Sequence, residues 1–166
     1  MQTGTIVYRD AAPGDEAIVA HFVRRLADYE KLLHEATATD DDFRLALFGE
    51  RPRLHALIVE KDAAPIGFAV WYYDFSTFTG KPGLYLEDVF VEPEHRGGGI
   101  GKAIFRILAR RARAEGCTRM NWSVLDWNTP SIAFYRSLGA VGQDEWTVQR
   151  LEGAALHALA KEQEHG

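Results

Sequence analysis

The chain predicts an α/β (α+β) protein, a mixed sheet flanked by helices, and three observations predict it. Apolar runs of strand length recur at residues 54–60, 66–73 and 84–91, bounded by polar, Pro or Gly residues. Other segments repeat their apolar residues at helical spacing, as Ile18, Val19, Phe22, Val23, Leu26, Tyr29 and Leu33 do. The glycine-rich stretch from His95 to Lys102 stands between the third apolar run and a basic amphipathic segment, in the order strand, loop, helix.

Taken in order, residues 5–9 form a short first strand. Pro13 is placed to be the first residue of a long helix, with Asp15 and Glu16 in its first turn, running to Leu33. Thr39, followed by Asp40, Asp41 and Asp42, caps a short helix to Phe48. Residues 54–60 and 66–73 are two strands joined by a polar turn ending in Pro65, and 74–83 is a loop. A strand at 84–91 leads into the glycine loop and its helix, which Gly116 ends. Residues 118–125 form a strand, and Asn128, Thr129 and Pro130 open a helix through Ser137. Residues 142–151 form a final strand, and 154–160 a terminal helix.

The 166 residues are 46% hydrophobic, enough for one packed domain spanning 1–166. No segment approaches the roughly 18 apolar residues that cross a membrane, and the N-terminus lacks a basic-then-apolar leader pattern. Cys117 is the single cysteine, which excludes an internal disulfide and a thiolate metal cluster; no metal is expected, and a reducing cytoplasm fits. The net charge of −5 argues against nucleic acid as a partner and suits a cationic one.

Glycine lets backbone N–H groups crowd one point, and a helix N-terminus adds unpaired donors and a positive dipole end. Together they suit a phosphate or pyrophosphate. A Walker loop does not fit, because Arg96 stands at its first glycine and Ala103 at its hydroxyl. A dinucleotide fingerprint fails at Lys102, where the third glycine belongs. The Arg-x-x-Gly-x-Gly spacing of Arg96, Gly99 and Gly101 is that of acyl-CoA-dependent N-acetyltransferases; an empty glycine turn is the competing reading.

A second motif follows about thirty residues downstream, running from Asp126 to Tyr135. Asn128 sits between a strand and a helix, where its amide can donate and accept. Ser131 and Tyr135 are four apart and share a helix face. With both motifs in this order the chain resembles the GNAT superfamily of N-acetyltransferases, and within it the diamine acetyltransferases that act on spermidine, spermine and thialysine. The closer match is carried by Leu84-Tyr85-Leu86-Glu87-Asp88, by Arg96-Gly97 with Gly99-Ile100-Gly101, and by Trp127-Asn128, Pro130-Ser131-Ile132 and Phe134-Tyr135. Ala27, Tyr29 and Glu30, and Gly67-Phe68-Ala69, extend it.

The resemblance implies the GNAT fold: a mostly antiparallel sheet of about six to seven strands with splayed central strands, flanked by about four helices. It implies acetyl-CoA as acyl donor. Val89, Phe90 and Val91 would pair with its pantetheine arm, and Arg96, Gly97, Gly98, Gly99, Ile100, Gly101 and Lys102 would hold its pyrophosphate. Asn128, Thr129, Pro130 and Ser131 would lie along the arm. Tyr135, also beside the cofactor, would protonate the departing thiolate. Glu87 would position the substrate ammonium and relay its proton, the alternative being an outward strand residue in a salt bridge. Asp88 would face the other way on a regular strand, unless a bulge intervenes. Tyr29, Glu30, Asn121, Trp122 and Ser123 would line the acceptor side, and Asp144 and Glu145 could add charge. The substrate implied is a small primary amine, a diamine, polyamine or thialysine-like molecule, and two chains would pair as a homodimer, their terminal segments exchanging contacts. A protein or antibiotic N-acetyltransferase, or a non-catalytic acyl-CoA-binding regulatory domain, are the other readings.

Overall fold

The computed structural model describes residues 4–161. They fall into two compact units, divided after Asn128.

The first unit is built on a five-stranded sheet in the order β1 (Ile6–Asp10), β2 (His55–Lys61), β3 (Ala64–Ser76), β4 (Lys81–Val91) and β5 (Met120–Asn121). The first four strands are antiparallel neighbours, and β5 joins β4 in parallel. Helices α1 (Glu16–Tyr29) and α2 (Asp40–Phe48) cover one face. Val19 and Phe22 of α1 pack there with Ile58, Phe68, Val70 and Phe90, and the Phe22 and Phe68 rings stack at 5.4 Å. Helix α3 (Ile100–Ala114) carries buried Ile104, Phe105, Leu108 and Ala112. Its Arg111 lies 5.2 Å over the ring of Trp71, whose side chain alternates with that of Val70 and so belongs to the other face.

Several boundaries differ from expectation. Helix α1 starts at Glu16 rather than Pro13, because Gly14 stands at φ +107°, and Asp15 there accepts from the Ala12 N–H and is clamped by Arg9. It ends at Tyr29, short of Leu33. Lys31 at φ +62° turns the chain, with its N–H donating to Asp28 O and the Leu32 N–H to Ala27 O. That is a Schellman stop without glycine. The Thr39 cap is a full capping box with Asp42, as expected. The expected loop at 74–83 is mostly ladder: Asp74, Phe75 and Ser76 pair with Gly83, Pro82 and Lys81, leaving a turn that Gly80 closes at φ +64°. At Gly83 a Cβ would collide with the Asp74 carboxylate.

The second unit holds α4 (Thr129–Ser137) and α5 (Gly153–Lys161). Gly139, at φ +94°, ends α4 with the Ala140 N–H donating to Tyr135 O. The expected strand at 142–151 is not formed, and the expected one at 118–125 shrinks to the two residues of β5. A strand exists only against a partner. The second unit contains no other strand among the described residues, and β4 bends at a bulge beyond its two paired positions with β5. The GNAT fold stands, with five strands where six to seven were expected and five α-helices.

Candidate active site

The mouth of α3 is built for an anion. Gly97 and Gly99 take φ +83° and +82°, a conformation that side chains with a Cβ adopt at a cost of roughly 1–2 kcal/mol. Gly99 caps α3 with no side-chain hydrogen bond, and nothing approaches within 4 Å of where a Cβ would stand on Gly97, Gly98 or Gly99. The first-turn N–H groups of Ile100, Gly101 and Lys102 therefore have no capping side chain, with the positive end of the helix dipole behind them. Arg96 fastens this loop to the sheet. Its Nε donates to Val91 O at 2.7 Å, and its guanidinium lies 5.2 Å over both the Tyr29 and Phe90 rings.

The strand that feeds this loop has an open edge. Strand β4 pairs with β5 only at Leu84 with Met120 and Tyr85 with Asn121. From Leu86 to Val91 its one ladder partner among the described residues is β3, and the segment holding Val89, Phe90 and Val91 has no strand on its other edge. These features fit a coenzyme A arm: an uncapped helix mouth for the pyrophosphate and unpaired strand amides for pantetheine.

The acidic residues gather at one point on the α1 face. Tyr72 pairs with Tyr85, Trp71 with Leu86 and Val70 with Asp88, so Glu87 is the extra residue of a bulge. Val70 and Tyr72 share a face, and their partners Asp88 and Tyr85 therefore share it too. The inserted residue turns Asp88 onto the face it would have avoided on a regular strand. Sequence reasoning passed over Asp88 for that reason; its only signal was adjacency to Glu87. Asp88 is partly buried, and burial first, then the charges of Glu87 and Glu30, raise its carboxyl to about 7. Burial also raises Glu30, at the C-terminal cap of α1. Burial first, then the charge of the exposed Glu87, raises the Tyr72 phenol, whose ring stacks on Tyr85 at 5.1 Å.

The other expected residues of this unit divide between the faces. The Tyr29 hydroxyl donates to Oδ1 of Asn128 at 3.2 Å, and Asn128 is buried. That bond ties the end of α1 to the last residue of the first unit. Asn121 lies opposite Tyr85, and the Ser123 and Tyr85 hydroxyls are 3.0 Å apart. Trp122 packs edge-on against Phe105 of α3, ring centroids 5.0 Å apart. It therefore supports the helix.

Within the second unit, Thr129, Pro130, Ser131 and Tyr135 lie on α4. The Phe134 and Tyr135 rings are 5.6 Å apart, and the Ser137 hydroxyl donates to Phe134 O at 2.6 Å. Asp144 and Glu145 are exposed in the segment after α4. Among the described residues no group of His, Cys, Asp or Glu could hold a metal ion, and no helix is long and apolar enough to cross a membrane.

Known proteins resemble this chain. The Acetyltransferase (GNAT) family matches residues 22–140. Thialysine N-epsilon-acetyltransferase of Sus scrofa is 36% identical over 94% of this chain and 98% of its own. The human spermidine/spermine N(1)-acetyltransferase-like protein 1 is 31% identical over 93% of this chain and 24% of its own length. An aminoglycoside N-acetyltransferase solved in complex with CoA is 20% identical, covers 92% of this chain and 98% of its own, and superposes with a TM-score of 0.72. With the glycine mouth, the opened strand edge and a family match over most of its length, this chain belongs to the GNAT family and is an N-acetyltransferase.

Proposed function

We propose that the protein is one GNAT domain that transfers acetyl from acetyl-CoA to the primary amine of a small cationic substrate, a diamine, polyamine or thialysine-like molecule. The observation that carries this reading is the juxtaposition on β4 of an unpaired edge leading to an uncapped helix mouth with carboxylates gathered on the α1 face. An anionic slot draws an ammonium and disfavours an acidic acceptor. The thialysine acetyltransferase relative, matched along nearly its full length, supports the same substrate class.

Acetyl-CoA supplies the thioester. Loop amides from Gly97 to Lys102 would hold its pyrophosphate, with Arg96 alongside, while Val89, Phe90 and Val91 would pair with its arm. Asn128, Thr129, Pro130 and Ser131 would border it. A backbone N–H near Val89 would stabilise the oxyanion that develops on the carbonyl. Tyr135 would donate its phenolic proton to the leaving thiolate, since a phenol of pKa near 10 is close to an alkyl thiol. Glu87, Glu30 and Tyr29 would orient the ammonium, with Asn121, Trp122 and Ser123 on the acceptor side. The enzyme would act as a homodimer in the cytoplasm; the single cysteine suits a reducing compartment.

The test is thiol release from acetyl-CoA with a panel of amines: thialysine, short diamines, spermidine, an aminoglycoside and a lysine-containing peptide. Turnover confined to the small amines is expected. Turnover with the peptide or aminoglycoside alone would replace this reading, and thiol release with no amine would remove it.

A further inference from the structure

We propose that Asp88, rather than its neighbour Glu87, accepts the proton of the substrate ammonium, with Glu30 and Glu87 as positioning charges that keep its carboxyl basic. This assignment rests on the amine-acetyltransferase reading above. It begins from the register of β4, where the one-residue bulge at Glu87 brings Asp88 onto the face that carries Val70, Tyr72 and Tyr85. The bulge falls where the β4–β5 ladder has just ended, on the segment expected to border the thioester. Glu30 reaches the same place from the end of α1, which the Lys31 turn fixes.

Asp88 and Glu30 differ from the other partly buried carboxylates that border the sheet. Asp15 and Glu60 are both held by Arg9, at 2.6 and 2.8 Å, Glu92 by Arg25 at 2.8 Å and Asp74 by Arg119 at 3.5 Å. Among the described residues the Asp88 and Glu30 carboxylates have no hydrogen bond and no ion pair. The charges that act on Asp88 are both negative, Glu87 from its own strand and Glu30 from α1. Strand β3 offers the neutral Val70 and Tyr72, and β5 and the residues after it the neutral Asn121 and Ser123. The cations of this end are otherwise engaged, Arg96 over Tyr29 and Phe90 and Lys31 at 5.1 Å over Trp127. A structural carboxylate would be given a partner. This one is left without a cation, which suits a group that receives one from the substrate.

The chemistry agrees in magnitude. A primary ammonium has a pKa near 10.4 and an ordinary Asp carboxyl about 3.9, so proton transfer to it is uphill by roughly 6.5 units. A carboxyl at about 7 halves that gap, which is roughly a thousandfold in the fraction of neutral amine. In the step, an ammonium N–H gives its proton to Asp88. The freed nitrogen lone pair forms the C–N bond at the thioester carbonyl, the C–S bond breaks, and sulfur leaves with its electron pair and takes a proton from a phenolic acid, the role proposed above for Tyr135. The second proton lost by nitrogen as the amide forms restores the phenol through solvent. Asp88 returns its proton to water. One ammonium and one acetyl thioester thus give one amide, one thiol and one proton.

The experiment is the pH profile of kcat/KM with thialysine and acetyl-CoA, on the wild type and on Asp88→Asn, Glu87→Gln and Glu30→Gln, with acetyl-CoA binding followed by calorimetry and folding by thermal melt. In the wild type a limb near pH 7 is expected. Asp88→Asn should abolish that limb and lower kcat by roughly 10² to 10³, with acetyl-CoA affinity within about twofold. Glu30→Gln and Glu87→Gln should keep the limb but move it to lower pH, as loss of a neighbouring negative charge requires. A limb that persists unmoved in Asp88→Asn, or that vanishes in Glu87→Gln, overturns the assignment. Should Asp88→Asn not fold, an unmoved limb in Glu30→Gln overturns it equally. A carbon-13 NMR titration of the Asp88 carboxyl separates the two readings. A midpoint near 4 sinks Asp88 whatever the activity, whereas a wild type that releases no thiol with any amine sinks the amine-acetyltransferase reading.

Discussion

At the scale of single residues, Asp88 is expected to make stability depend on pH. A carboxyl whose pKa is raised on folding favours the protonated chain. Its contribution is whole below the unfolded value near 4 and is lost as pH climbs through about 7. The full shift corresponds to about 4 kcal/mol at one pKa unit per 1.36 kcal/mol, and contact with water reduces it to roughly 1–2 kcal/mol. Asp88→Asn is therefore expected to raise Tm at pH 8 by roughly 2–8 °C and to leave Tm at pH 4 nearly unchanged, read by calorimetry at both pH values. A positioned acid that destabilises the fold it serves is the usual trade between stability and activity. Tyr135 offers the complementary prediction. Removing its hydroxyl in Tyr135→Phe should lower turnover by roughly 10² to 10⁴ while acetyl-CoA affinity holds. Turnover unchanged from neutral to alkaline pH would take Tyr135 out of the acid role.

At the scale of elements, the two ends of a helix do different work. The N-terminus of α3 is open because Gly97 and Gly99 hold left-handed backbone and contribute no cap. Gly99→Ala should cost roughly 1–2 kcal/mol through its φ alone, since no atom within 4 Å resists the added methyl. Any loss of acetyl-CoA affinity beyond that penalty, seen by calorimetry, reports the ligand filling that space. This mouth was legible in the sequence, because the glycine spacing and the flanking strand and helix are local signals. So was the Thr39 capping box, a matter of side chains three residues apart. The end of α1 was not legible, because its turn is made by Lys31 in place of the usual glycine and only backbone geometry reveals it. The bulge at Glu87 was hidden for a deeper reason. Alternation along β4 can be read from β4, but register depends on what β3 presents across from it. Of the candidate site, the uncapped glycine mouth was thus readable, whereas the face that Asp88 takes required tertiary pairing.

At the scale of the whole molecule, residues 142–151, where Trp146 and Val148 alternate with polar neighbours, find no ladder among the described residues. Val141, Trp146 and Val148 are 76%, 79% and 82% exposed, and Leu151, Leu156 and Leu159 are exposed beside them. Single exposed apolar residues are ordinary, but six within nineteen positions ask for a partner. Their unmet strand propensity is the physical ground for the proposed homodimer. A second copy supplies such residues with a surface by symmetry, and each chain then gains what it gives. Light scattering is expected to give twice the mass of one chain for the wild type. Trp146→Glu combined with Val148→Lys, which places charge on the alternating positions, should yield a monomer whose Tm no longer depends on protein concentration. A wild type that scatters as a single chain at every concentration would instead assign these apolar residues to some other partner.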